Sequence, residues 1–116
     1  MNTSLPVQAI DKDVCVAPQL QPEAMAEVAR AGFRSVVNNR PDFEGGADQP
    51  TNAQLEAAAR AAGLAYHHLP VNGASQTPEQ IAAFAALERE LPRPLLMFCR
   101  SGARSAKLYH AAQALG

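Results

Sequence analysis

The chain has 116 residues, 47% of them hydrophobic and 18% charged, with ten Lys and Arg against eleven Asp and Glu for a net charge of −1. This is enough for one hydrophobic core and not for two, and the composition excludes an intrinsically disordered segment. No overall positive field steers it onto nucleic acid or an acidic membrane, and 5% aromatics without Trp give no base-stacking platform, so any anion site is local.

The start, Met1-Asn2-Thr3-Ser4-Leu5-Pro6, lacks the basic and apolar regions of a secretory signal. Val14-Cys15-Val16 reads as a short strand closed by Pro18, and Pro22 stands where a helix begins. Met25, Val28 and Ala29 carry that helix through Arg30, with Gly32 as its stop, and Phe33 to Val37 forms the next strand. Asn38 to Asp48 is polar and rich in Gly and Pro, hence a loop. Thr51 caps an Ala-rich helix over Asn52 to Ala62, ended by Gly63, and Leu64 to Val71 is a strand. Thr77-Pro78-Glu79-Gln80 opens a third helix, which runs until Pro92 and Pro94. Leu95 to Phe98 is a buried strand, far shorter than the roughly 20 residues that cross a bilayer, and the last helix is expected near Ser105.

Strands alternating with helices predict an α/β fold of three layers, a mainly parallel sheet flanked by helices, as a single catalytic domain over residues 1–116. Ligands of such sheets bind beyond the carboxyl ends of the strands, which selects the loop after Phe98. The loop reads Cys99-Arg100-Ser101-Gly102-Ala103-Arg104-Ser105. Successive N–H groups in a tight loop, with a helix N-terminus behind them, cradle an anion. Arg100 and Arg104 favour thiolate over thiol at Cys99, and Gly102 allows a positive φ or close backbone approach. Cys99 and Arg104 are thus the expected catalytic residues, with Arg100, Ser101, Gly102, Ala103 and Ser105 binding a small anionic substrate. Ser105 is expected either to bond Cys99 or to cap the helix. Cys15 has no basic neighbours and reads as core. With no disulfide framework in the pattern, a reducing, cytoplasmic setting is expected.

The loop resembles two groups, the rhodanese sulfurtransferases and the cysteine-dependent phosphatases. Phosphatases of the tyrosine and dual-specificity type place five residues between Cys and Arg, often with His before the Cys, whereas this chain has four, Arg100 to Ala103, after Phe98. The wider chain resembles the beta-lactamase-hydrolase-like family of dual-specificity-phosphatase-like bacterial domains, which occur alone or fused to a persulfide dioxygenase-type metallohydrolase. The resemblance is carried by Val14 to Leu20, Ser35 to Asp42, His67-His68-Leu69-Pro70-Val71 and Cys99 to Ser105. It implies either sulfur transfer or phosphoester hydrolysis, and a persulfide dioxygenase-type partner.

The four-residue gap favours a rhodanese-like sulfurtransferase. In that reading Cys99 takes a sulfur from thiosulfate or a low-molecular-weight persulfide, holds it as a persulfide and passes it to a nucleophile. The absence of a carboxylate between Val71 and Pro78 agrees, since a phosphatase acid is expected there. The alternatives are a dual-specificity-like phosphatase, with Asp42 as acid if the Asn38 to Asp48 loop folds over the Cys99 loop, and a non-enzymatic anion- or persulfide-sensing domain. Arg40 is read either as an anion contact or as a solvated surface residue. His67 and His68 point to opposite faces of a strand and His110 lies on the last helix, so no metal or other cofactor is expected.

Overall fold

The computed structural model describes residues 5–73 and 75–115. The chain runs through β1 (Gln8–Asp11), β2 (Val14–Ala17), a 3-10 turn at Pro22–Ala24, α1 (Met25–Arg30), β3 (Ser35–Asn38), α2 (Asn52–Ala61), β4 (Ala65–His68), α3 (Pro78–Glu90), β5 (Leu95–Phe98) and α4 (Ala103–Ala114). The five strands form one sheet in the order β1-β2-β5-β3-β4, with every pair parallel except the β1-β2 hairpin.

Successive side chains of a strand leave opposite faces, and here the two faces meet different helices. Val36, Leu96 and Phe98 join Met25, Val28, Leu55 and Ala59 on the side of α1 and α2. Val37, Leu95 and Met97 join Phe84, Ala85, Leu108 and Tyr109 on the side of α3 and α4. β3 and β5 are therefore buried at every position, as strands covered on both faces must be. These are the expected three layers.

The local signals act as read. Thr51 and Thr77 each close a capping box with the Gln three positions on, and Pro78 starts α3 where its missing N–H is no loss. The strand expected over Leu64 to Val71 is shorter, β4 ending at His68. The backbone beyond it still donates from Leu69 to Asn38 and from Val71 to Asn39. β1 was not expected. It is an edge strand, exposed except at Ile10, and the Tyr109 hydroxyl donating to Asp11 ties it to α4. Among the described residues, no helix is long and apolar enough to cross a membrane.

Candidate active site

Cys99 leaves the end of β5, the middle strand of the sheet, so its backbone is fixed from both sides. Its N–H donates to the Ala17 carbonyl at 3.4 Å, while Gln19 N–H reaches the Arg100 carbonyl at 3.2 Å. The thiol is buried, and the Gly102 N–H donates to Sγ at 3.0 Å. That bond depends on Gly102 at φ 95°, a left-handed conformation in which a Cβ is strained.

The same conformation turns the chain into α4 earlier than expected. The helix begins at Ala103, not near Ser105, and Arg104 lies inside its first turn. Gly102 stands at the N-cap with no side-chain cap, so Ser105 caps nothing. Nor does the Ser105 hydroxyl serve Cys99, because it donates to Asn39 Oδ1 at 2.8 Å in the fully buried interior. Asn39 in turn donates through Nδ2 to the Leu69 carbonyl and through its N–H to the Phe98 carbonyl. This one buried side chain, which sequence reading missed, joins the ends of β3, β4 and β5 to α4.

Arg104 is held on one side and open on the other. Nη1 donates to Glu44 Oε2 at 3.0 Å and to the Val71 carbonyl at 3.2 Å, and Nη2 donates to Glu44 Oε1 at 3.1 Å. Nε–H and the second Nη2 hydrogen have no partner among the described residues. Arg104 also lines a cleft of about 310 Å³, together with Gly73, Cys99, Arg100, Ser101, Ala103 and Lys107. It brings together Cys99, Arg104 and most of the expected binding residues. Gly102 contributes its N–H from behind, and Ser105 is absent from the lining.

The Asn38 to Asp48 loop does reach the Cys99 loop, but through Glu44 and not Asp42. Asp42 Oδ1 accepts from the Asn52 N–H at 2.7 Å at the start of α2. Glu44 lies between two guanidinium groups, since Arg40 Nε also donates to its Oε1 at 2.9 Å. Arg40 is therefore neither solvated nor an anion contact: it is buried, and its Nη1 is bound to Gln19 Oε1. The hydrogen bonds from Arg104, and after them that from Arg40, hold the Glu44 carboxyl below its ordinary pKa. The loop is tight enough that a Cβ on Gly45 would fall 2.7 Å from Arg40 Nη2. Between its anchored neighbours Phe43 is kept at φ 65° and 68% exposed, a conformation an aromatic residue holds only when its surroundings impose it.

His68 Nε2 bonds the Arg40 carbonyl at 2.9 Å while His67 and His110 are exposed, and no cluster of three potential metal ligands occurs among the described residues. Burial pushes the Cys15 thiol up, in keeping with its core reading.

A family model described as "Beta-lactamase hydrolase-like protein, phosphatase-like domain" matches residues 6–116. A beta-lactamase hydrolase-like protein of Xylella fastidiosa is 39% identical over 100 residues, covering 86% of this chain and 23% of that protein. One from Agrobacterium fabrum is 35% identical over 106 residues, covering 91% and 24%. The chain thus spans about a quarter of the length of these relatives. A solved structure of a candidate phosphatase from Neisseria meningitidis superposes with a TM-score of 0.83 at 28% identity, covering 91% of this chain and 75% of that one. These likenesses fit the phosphatase alternative better than the sulfurtransferase reading, which they do not support.

Proposed function

Because the chain belongs to the beta-lactamase hydrolase-like, phosphatase-like domain family, we propose that it hydrolyses phosphate esters through a cysteinyl-phosphate intermediate. One observation carries the reading: a buried sulfur that accepts the Gly102 N–H lies in a cleft beside an arginine with two donors free for an anion. Nε–H and Nη2–H of a guanidinium match two oxygens of a phosphoryl group, and the loop N–H groups at the start of α4 add partial positive charge. Cys99 as thiolate attacks phosphorus in line; the S–P bond forms as the P–O bond breaks and its electron pair leaves with the oxygen. Water then attacks phosphorus, the S–P bond breaks, and phosphate and the thiolate are released while the water proton passes to solvent.

Among the described residues, no carboxyl group lines the cleft to protonate the leaving oxygen. Glu44, the acid nearest in the network, is held ionised by Arg104 and Arg40 and serves as an acceptor. The reaction therefore suits esters whose leaving group departs as a stable anion, such as aryl phosphates.

Sulfur transfer is the second reading, favoured by the four-residue gap and by this same absence of an acid, since sulfite or a thiolate leaves without a proton. In that case a persulfide dioxygenase-type protein is the expected partner. Aryl phosphate hydrolysis and thiosulfate-to-cyanide transfer, measured on one preparation with Cys99→Ser as blank, separate the two. Phosphate release that vanishes in Cys99→Ser is expected. Sulfur transfer alone overturns the phosphatase reading, and silence in both assays leaves the anion-sensing domain.

A further inference from the structure

Around Cys99 the cleft presents, among the described residues, three cationic side chains and no carboxylate, in a chain whose net charge is −1. Arg104 is accounted for by the transferred phosphoryl group. Arg100 and Lys107 are not: both line the cleft, both are exposed, and neither side chain forms a hydrogen bond or ion pair with a described residue. Three cations away from the cleft are paired within the fold, Arg40 with Glu44, Arg60 with Glu56 and Arg93 with Glu88.

Geometry gives the two free cations a direction. Cys99 is 1% exposed and lies at the floor of the cleft, so a group attacked in line expels its leaving oxygen away from the floor, toward the mouth. That is where the exposed Arg100 and Lys107 stand. A neutral alcohol arriving there would find two unmatched charges and no acid. An anionic leaving group of low proton affinity finds neutralisation and needs no proton.

We propose that the preferred substrate is a phosphoanhydride, in which the leaving group is itself a phosphate bound by Arg100 and Lys107. The inference rests on the phosphatase reading. The terminal phosphoryl group goes to Cys99 as the bridging P–O bond breaks, and the electron pair stays on the bridging oxygen of the departing phosphate between the two cations. Hydrolysis of the cysteinyl phosphate by water then completes the turnover.

The test compares kcat/KM for inorganic tripolyphosphate and for p-nitrophenyl phosphate, without added metal, in the wild type, Arg100→Ala, Lys107→Ala, the double variant and Cys99→Ser. Folding of each is checked by thermal melting. The wild type is expected to favour tripolyphosphate, and the double variant to lower the ratio of the two kcat/KM values by about tenfold or more, as loss of charge-assisted contacts to one substrate only requires. Rising ionic strength should lower the ratio in the wild type and leave it nearly flat in the double variant. Aryl phosphate hydrolysis with no tripolyphosphate cleavage, or an unchanged ratio in a folded double variant, overturns the anhydride proposal and leaves the phosphatase reading standing. Loss of both activities relative to the Cys99→Ser blank, with sulfur transfer present, overturns the phosphatase reading itself.

Discussion

Glu44 and Arg104, sixty residues apart in the chain, meet carboxylate to guanidinium through two hydrogen bonds of 3.0 and 3.1 Å. Each depends on the other. The fork fixes the plane of the guanidinium, and with it the direction of the two donors that remain for substrate, while the hydrogen bonds from Arg104 and then Arg40 hold the Glu44 carboxyl below its ordinary pKa.

Glu44→Gln should therefore leave Arg104 cationic but loosely oriented. We expect kcat/KM for an aryl phosphate to fall about tenfold, corresponding to about 1.4 kcal/mol of lost transition-state binding, with a smaller change in melting temperature. The sign of the pH effect follows from the lowered pKa. Stabilisation by the Glu44 pair is fully present above the unfolded carboxyl value of about 4.3 and is lost as pH falls through the lower folded value. Melting curves of both proteins between about pH 3 and pH 7 should converge at the acid end. Wild-type kinetics in a folded Glu44→Gln protein would refute the positioning role.

Arg104→Lys keeps the charge and loses the fork. One ammonium cannot bond Glu44 through two hydrogens, reach the Val71 carbonyl and still present two coplanar donors to an anion. A loss of about a hundredfold in kcat is expected, in the range found when one positioned donor to a developing charge is removed. Steady-state kinetics showing only a raised KM would mean that Arg104 contributes charge alone.

Asp42→Ala separates the two acids of the loop. Its carboxylate accepts from the Asn52 N–H, one of the donors left open at the start of α2. Removing it should lower stability by about 1 kcal/mol, read as a fall of a few degrees in melting temperature, while aryl phosphate turnover stays at the wild-type level. A variant that melts like the wild type and fails to turn over would restore Asp42 as the acid.

Both tyrosines of the chain resist ionisation. Burial, with further contributions from their neighbours, pushes Tyr66 and Tyr109 up to about 12. For groups neutral when protonated, the stabilisation is present below the unfolded value of about 10 and is lost as pH rises through the folded one. A spectrophotometric titration should show almost no tyrosinate until pH exceeds about 11, and an ordinary value for Tyr109 would mean that its hydroxyl is not held against Asp11.

The parts of this fold legible in the sequence are those whose causes are local. Thr51 and Thr77 act on backbone three residues away, Pro78 sets its own φ, and the apolar run Leu95 to Phe98 needs only to be buried on both faces. The Cys99 loop was legible because a thiol, two arginines and a glycine fall within one turn of chain. Glu44 was not, since its partner is sixty residues away and nothing in a polar loop distinguishes one carboxylate from the next. The pairing of Asn39 with Ser105 was hidden for the same reason, as a hydrogen bond across 66 residues leaves no periodicity. β1 escaped because Gln8, Ala9 and Asp11 are exposed, so the edge strand offers no alternation to read.

The nucleophile follows the middle strand of the sheet, which has parallel neighbours on both sides, β2 and β3, and its own N–H is bound to Ala17. Breaking those ladders means opening both cores at once, so amide protons of Leu96 to Cys99 should exchange with solvent only through global unfolding. The Asp42 to Gln49 loop has no sheet ladder and is anchored by side-chain bonds, those of Glu44 to Arg40 and Arg104 among them, so it can open on its own and should exchange far sooner. The sulfur thus keeps its place with the full stability of the domain, while the loop that orients Arg104 is free to adjust on the timescale of local opening.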